Sequence, residues 1–255
     1  MGTFKDRNPK LREAALKALS LDENLPEART ALGRILAVYD RDFAGAEREF
    51  RRAVELNPNY ANAHYMYGQF LSILGRREES AAVYRRALEI EPLSLVINAS
   101  YGMSLVYVGR YEEAIAQLKK TLELDENYFG THFQLTLASQ AQGRYAESIE
   151  ACAKAAELYG NYQEAAKVRE RFAGGGWEGY LRAMTGDREA DNLSFYFVAT
   201  CHAALGEREQ AFEALKKSYE NREIPLILLK VDPRLDSLRS DPRFAELLRK
   251  VGLPQ

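Results

Sequence analysis

RRAVELNP, residues 51–58, is written again as RRALEIEP at 85–92, as KKTLELDE at 119–126 and, more faintly, as AKAAELYG at 153–160. The 34-residue spacing recurs in independent columns: Glu55, Glu89, Glu123 and Glu157; Gly75, Gly109 and Gly143; Gly68 and Gly102; Pro58 and Pro92; Tyr111 and Tyr145. A period of this length marks stacked supersecondary units, each burying its apolar face only against its neighbours.

Within each period, helical spacing occurs twice. ANAHYMYGQFLSIL at 61–74 carries Tyr67, Phe70, Leu71 and Leu74 at steps of three and four, and REESAAVYRRALEI at 77–90 carries Ala81, Tyr84, Ala87 and Leu88. The glycine between them suits the left-handed residue after a helix, where a Cβ is costly. Each unit is therefore a helical hairpin. Gly68, Gly102 and the Ala53/Ala87/Ala155 column let two helix axes approach to about 8 Å, with Phe50, Tyr84 and Leu118 filling the space beside them. Pro58 and Pro92 close one unit and open the next.

This hairpin, with small residues at its eighth, twentieth and twenty-seventh positions and proline at its thirty-second, resembles the tetratricopeptide repeat. The resemblance implies an all-α fold, a right-handed α-solenoid forming one continuous domain. Four units are expected at 26–60, 61–94, 95–128 and 129–160, and a fifth at 192–221, where Gly206 and Ala211 keep their columns. The first unit is one residue long, Gly33 to Gly68 being 35, and the fourth has Thr136 in the small eighth position and Gly160 in place of the proline.

The segment 161–190 is helical text without the repeat columns, and reads as an atypical hairpin: a helix to about Phe172, a turn at Gly174-Gly175-Gly176, and a short helix from Trp177. No GK[ST] follows the glycines, so they are not a phosphate cradle. The tail, 222–255, reads as a helical cap, with Asp232-Pro233 and Asp241-Pro242 as helix starts. At the other end, LREAALKALSLDE at 11–23 aligns with the second helix of a unit and has no first helix before it. Residues 1–25 are therefore either a lone capping helix opened by Asn8-Pro9 or a repeat truncated from a longer chain. YDRDFAGAEREFRRAVELNPNYANAH, PLSLVINASYG and LLKVDPRLDSLRSDPRF are together similar to the C-terminal arrays of bacterial multidomain regulators, which follow winged-helix, serine/threonine kinase or nucleotide cyclase domains.

Lysine and arginine number 35 against 37 aspartates and glutamates, with the signs interleaved. That balance excludes the basic stripe of a nucleic-acid binder. No apolar run approaches a membrane span, and the opening MGTFKDRNPK has no apolar signal region. Cys152 and Cys201 form no CxxC pair and read as reduced packing residues of a cytoplasmic protein. Asn98-Ala-Ser and Asn192-Leu-Ser are read as chance matches to a glycosylation pattern. His64 and His132 share a repeat column 68 residues apart, a consequence of the repeat and not a metal pair. No GxSxG, HExxH, DFG or dinucleotide fingerprint is present, so no catalytic residue, metal or cofactor is expected.

The resemblance assigns the inner wall to the first helix of each unit. Its candidate peptide-binding residues are Thr30, Arg34, Tyr65, Gln69, Met103, Tyr107, Phe133, Leu137 and Tyr196. They do not match the Lys and Asn clamp that grips a peptide's terminal carboxylate in some family members. An apolar inner wall reads in two ways: as a groove for a protein or peptide partner, or as a surface buried by tight curvature or by the chain's own tail. The function expected is a noncatalytic interaction scaffold in a signalling or transcriptional regulator. The alternative is self-association with a second copy through the terminal helices.

Overall fold

A computed structural model describes residues 4–186 and 193–253. Among them there is no strand, and thirteen α-helices follow one another in antiparallel pairs. Helix α1 spans Phe4–Leu21, and the hairpins that follow are α2 (Pro26–Ile35) with α3 (Phe43–Leu56), α4 (Ala61–Ile73) with α5 (Arg77–Ile90), α6 (Leu95–Tyr107) with α7 (Tyr111–Leu124), and α8 (Phe129–Ala141) with α9 (Tyr145–Leu158). Next come α10 (Tyr162–Gly186), the hairpin α11 (Phe195–Ala204) with α12 (Arg208–Glu220), two 3₁₀ turns at Ile224–Leu228 and Pro233–Leu238, and α13 (Pro242–Val251). From α1 to α12 each helix packs on the next, and first helices also pack on one another, α2 on α4, α4 on α6 and α6 on α8. This is an α-solenoid.

The repeat columns have a steric meaning. A Cβ on Gly33 would lie 3.1 Å from the Phe50 ring, one on Gly68 3.0 Å from the Tyr84 ring, and one on Gly102 2.8 Å from Leu118. The eighth position is thus a hole and a large residue on the second helix is its knob. In the fourth unit both partners change, to Thr136 and Cys152. The twentieth position adds a bond across the hairpin: Ser80 Oγ donates to the Gly68 carbonyl at 2.9 Å and Ser148 Oγ to the Thr136 carbonyl at 2.8 Å. Gly75, Gly109 and Gly143 take φ of 74°, 77° and 72°, and the amide of the next residue reaches back five positions, as Arg76 N does to Leu71 O at 3.0 Å.

The extra residue of the first unit has a definite place. Helix α2 runs on through a π turn at Leu36–Asp40, where the Arg41 amide donates to the Leu36 carbonyl and Arg41 takes φ 58°. A π turn holds one residue more per hydrogen-bonded ring than an α turn, so it absorbs the insertion without shifting either helix. Asp42 then caps α3 by accepting from Gly45 N at 2.9 Å.

Helix α10 is continuous except at Gly176, whose φ 60° and ψ −153° are open only to glycine. Gly174 and Gly175 are helical, so the turn is one residue, not three. The two arms fold back on each other: Arg171 Nη1 lies 3.9 Å from Met184 Sδ, whereas 13 residues of straight helix would separate them by about 20 Å. Asn192 and residues 187–190 of the expected segments lie outside the described residues. At the other end, α1 begins at Phe4, so Asn8-Pro9 does not open it. Pro9 lies inside the helix as its sixth residue, where the ring removes one backbone bond and crowds the carbonyl four residues before it. Among the described residues, no helix is long and apolar enough to cross a membrane.

The tail does not extend the stack. It folds back along the inner wall to the first hairpins, where the 3₁₀ turn at Ile224–Leu228 packs on the π turn at Leu36–Asp40. Leu226, Leu229, Leu235 and Leu238 are fully buried in one core with Phe50, Phe70, Leu71 and Tyr196. Gly252 approaches the Arg41 carbonyl and the Phe43 ring.

Candidate functional site

The tail closes the inner wall into a cavity of about 710 Å³. Arg34, Gln69, Met103, Tyr107, Phe133, Leu137 and Tyr196 all line it, brought together from five separate first helices. Thr30 and Tyr65 do not. Thr30 is buried and its hydroxyl donates to the Pro26 carbonyl at 2.7 Å. Tyr65 is half-buried, with its ring 6.5 Å from that of Tyr84.

The latch that holds the tail is polar. Asp232 is fully buried and accepts from Arg234 Nη2 at 2.6 Å, from the Arg234 amide at 3.0 Å and from the Tyr196 hydroxyl at 3.0 Å. Burial alone would push this carboxyl up, but the guanidinium and the hydrogen bonds outweigh it and hold it below the usual carboxylate range. The Tyr196 phenol is pushed well up by burial and by the Asp232 charge, so it stays a donor. Tyr196 therefore grips the chain's own tail and offers nothing to an incoming partner. Glu223 adds a second tie, accepting the first amides of α11, Phe195 N and Tyr196 N, at 2.9 Å each.

A wall covered by the chain's own tail was one of the two sequence readings, but the residues that form the far side of the cavity, Trp177 and Tyr180 of α10 and Ile224, Leu228 and Arg234 of the tail, were not among the candidates. Trp177 is stacked on Tyr145 at 4.6 Å and 4° and on Tyr180 at 5.3 Å. The run IPLILLKV at 224–231 was the available signal: too short for a helix of this array and without polar alternation, it fits a segment covered on all sides. The altered pair of the fourth unit, Thr136 and Cys152, lies on this same wall.

At the rim the wall is open and aromatic. Phe133 is 63 % exposed, Phe129 45 % and Tyr159 79 %, with ring centroids 6.4 Å apart for Phe129 and Phe133 and 5.8 Å for Phe129 and Tyr159.

Burial pushes the Cys152 and Cys201 thiols up to about 11 and about 12, far from a reactive thiolate. His64 Nε2 donates to the Pro58 carbonyl at 2.9 Å and His132 Nε2 to the Glu126 carbonyl at 2.8 Å, while Asn98, in the same column, donates to the Pro92 carbonyl. These side chains tie each first helix to the loop before it. Among the described residues, no group of three or more His, Cys, Asp or Glu is placed to hold a metal ion.

The family model of the tetratricopeptide repeat matches residues 35–94 and 102–166. No curated protein matches the chain. Among solved structures, a chain of the APC/C hetero-tetramer Cut9-Hcn1 is similar over 96 % of this chain and 46 % of that one, at 13 % identity and a TM-score of 0.60. YrrB, a TPR protein with an unusual peptide-binding site, is 19 % identical over 94 % of this chain and 99 % of that one, with a TM-score of 0.45. MamA is 21 % identical over 61 % of this chain and 89 % of that one, with a TM-score of 0.47. The knob-and-hole columns and the family match agree: residues 35–94 and 102–166 are tetratricopeptide repeats, and the chain that carries them is an α-solenoid.

Proposed function

We propose that this chain is a noncatalytic scaffold that takes a protein or peptide partner on the open rim of its inner wall. The observation that carries the reading is the contiguous exposed cluster of Phe129, Phe133 and Tyr159, large aromatic surfaces left outside every core of the fold. Aromatic side chains of this kind are the usual anchors of peptide recognition. Gln69, exposed on the same wall, supplies a polar contact, whereas Thr30, Leu137 and Tyr196 are buried and serve the fold. The sequence similarity to the arrays of bacterial regulators supports a place beside a signalling or transcriptional domain, in the cytoplasm.

The test is selection of a random peptide library on the purified chain, followed by titration of the enriched peptide. Phe133→Ala is expected to weaken it by about 2 kcal/mol or more, the loss typical of an anchor. Equal affinity for the variant and the parent chain rejects the rim as the binding face. A second reading, self-association, is supported by helix α1, where Leu11 is 51 % and Leu16 49 % exposed. Sedimentation velocity that stays monomeric as concentration rises removes it.

A further inference from the structure

The cavity behind the rim carries a separate inference, one that does not rest on the partner site. Its described lining contains no aspartate, glutamate or lysine, and its only charged side chains are Arg34 and Arg234. Arg234 is neutralised by Asp232. Arg34 has no ion pair or hydrogen bond among the described residues, and it stands exposed at the cavity's edge. The space is thus an apolar chamber of ligand size with one uncompensated positive charge at its mouth.

The polar groups of the wall narrow the ligand further. Ser104 donates to the Tyr101 carbonyl, Thr136 to His132, Ser148 to Thr136 and Thr200 to Phe197, so these hydroxyl protons are already used within the chain, and the polar capacity left on the wall is mainly three side-chain amides, Gln69, Gln134 and Gln140, of which Gln134 Oε1 is buried without a partner. A peptide inside the chamber would bring a donor and an acceptor per residue. Most would stay unpaired, at about 1–3 kcal/mol each. An acyl chain brings none. We propose that the cavity binds a small amphipathic monocarboxylate, its hydrocarbon against Ile73, Leu137, Ile227 and Leu228 and its carboxylate paired with Arg34.

Trp177, the single tryptophan, lines the chamber and reports on its contents. Decanoate, decanol and a five-residue apolar peptide with a free carboxylate are titrated into the full chain, followed by Trp177 emission and calorimetry. The expected result is saturable one-to-one binding of decanoate, weakened ten-fold or more in Arg34→Gln, with decanol bound equally by both chains. Arg34→Lys, which keeps the charge, recovers most of the decanoate affinity. Arg34 is exposed, so these substitutions leave the fold intact. Undiminished decanoate affinity in Arg34→Gln, no decanoate binding at all, or tighter binding of the peptide than of decanoate each overturns the proposal. A library-selected peptide that loses affinity in Phe133→Ala but not in Arg34→Gln, with decanoate inert, sinks this inference and leaves the partner site standing.

Discussion

Asp232→Ala tests whether the tail latch holds the array closed. Asp232 has no solvent exposure, and the Arg234 side chain that it neutralises is 17 % exposed. Removing one member of a buried ion pair costs about 3–5 kcal/mol, because the remaining charge is left without compensation. The residual exposure of Arg234 lets some water reach the guanidinium, which places the expected loss at the lower end, about 3 kcal/mol. Loss of the Tyr196 acceptor is part of the same figure. For a chain of this size that corresponds to a fall in Tm of about 6–12 °C. Urea unfolding followed by helical circular dichroism and Trp177 emission measures it, and hydrogen exchange at Leu229 and Val231 locates it. Asp232→Ala/Arg234→Met, which removes both charges and keeps an apolar volume, recovers most of the loss. The linkage has a sign: the folded pKa of Asp232 is depressed, so its stabilisation is complete above the unfolded value near about pH 4 and disappears as pH falls through the folded value. A loss below about 1 kcal/mol in the single variant, or a double variant less stable than the single, refutes the latch.

Gly102→Ala drives a Cβ to 2.8 Å from Leu118 and is expected to cost about 1–3 kcal/mol in a thermal melt. Gly143→Ala meets no atom within 4 Å, but at φ +72° it still costs about 1–2 kcal/mol, through backbone strain instead of packing. Gly176→Ala is expected to lose about 1–3 kcal/mol and to shift Trp177 emission to the red as the two arms of α10 separate. Burial lowers the pKa of His64 despite the bond it makes to Pro58, so the unfolded chain binds that proton more tightly. Its contribution to stability is complete above about pH 6.5 and declines as pH falls, and a His64 resonance titrating at or above that value contradicts the assignment.

The hairpins were legible because everything that fixes them is local. A glycine beside a large residue 16 or 17 positions later, a left-handed glycine at the turn and a proline at the boundary all act within one unit, and the repeat prints them several times. Even the misfit of the first unit was visible as a count, 35 against 34, although only coordinates show that a π turn absorbs it. The cavity was not legible, because its closing wall comes from contacts such as Tyr196 with Asp232, 36 residues apart and present once. Tyr196 illustrates the limit: its column assigns it to the inner wall, which is correct, and says nothing of what stands opposite. A repeat column gives the direction in which a side chain points from its own hairpin, whereas availability to a ligand depends on what else the chain lays across that direction. The tail lies over the first hairpins and the fifth, and burial on the wall follows it: Tyr196 is closed off beside Asp232, while Phe133, on the fourth hairpin, stays open. Binding to this wall is therefore divided by the tail into an aromatic rim and an enclosed apolar chamber. Substitutions that release the latch should merge the two, so Asp232→Ala is expected to weaken decanoate at Arg34 while leaving a peptide held by Phe133 within about two-fold of its original affinity, well inside the ten-fold that 1.4 kcal/mol represents.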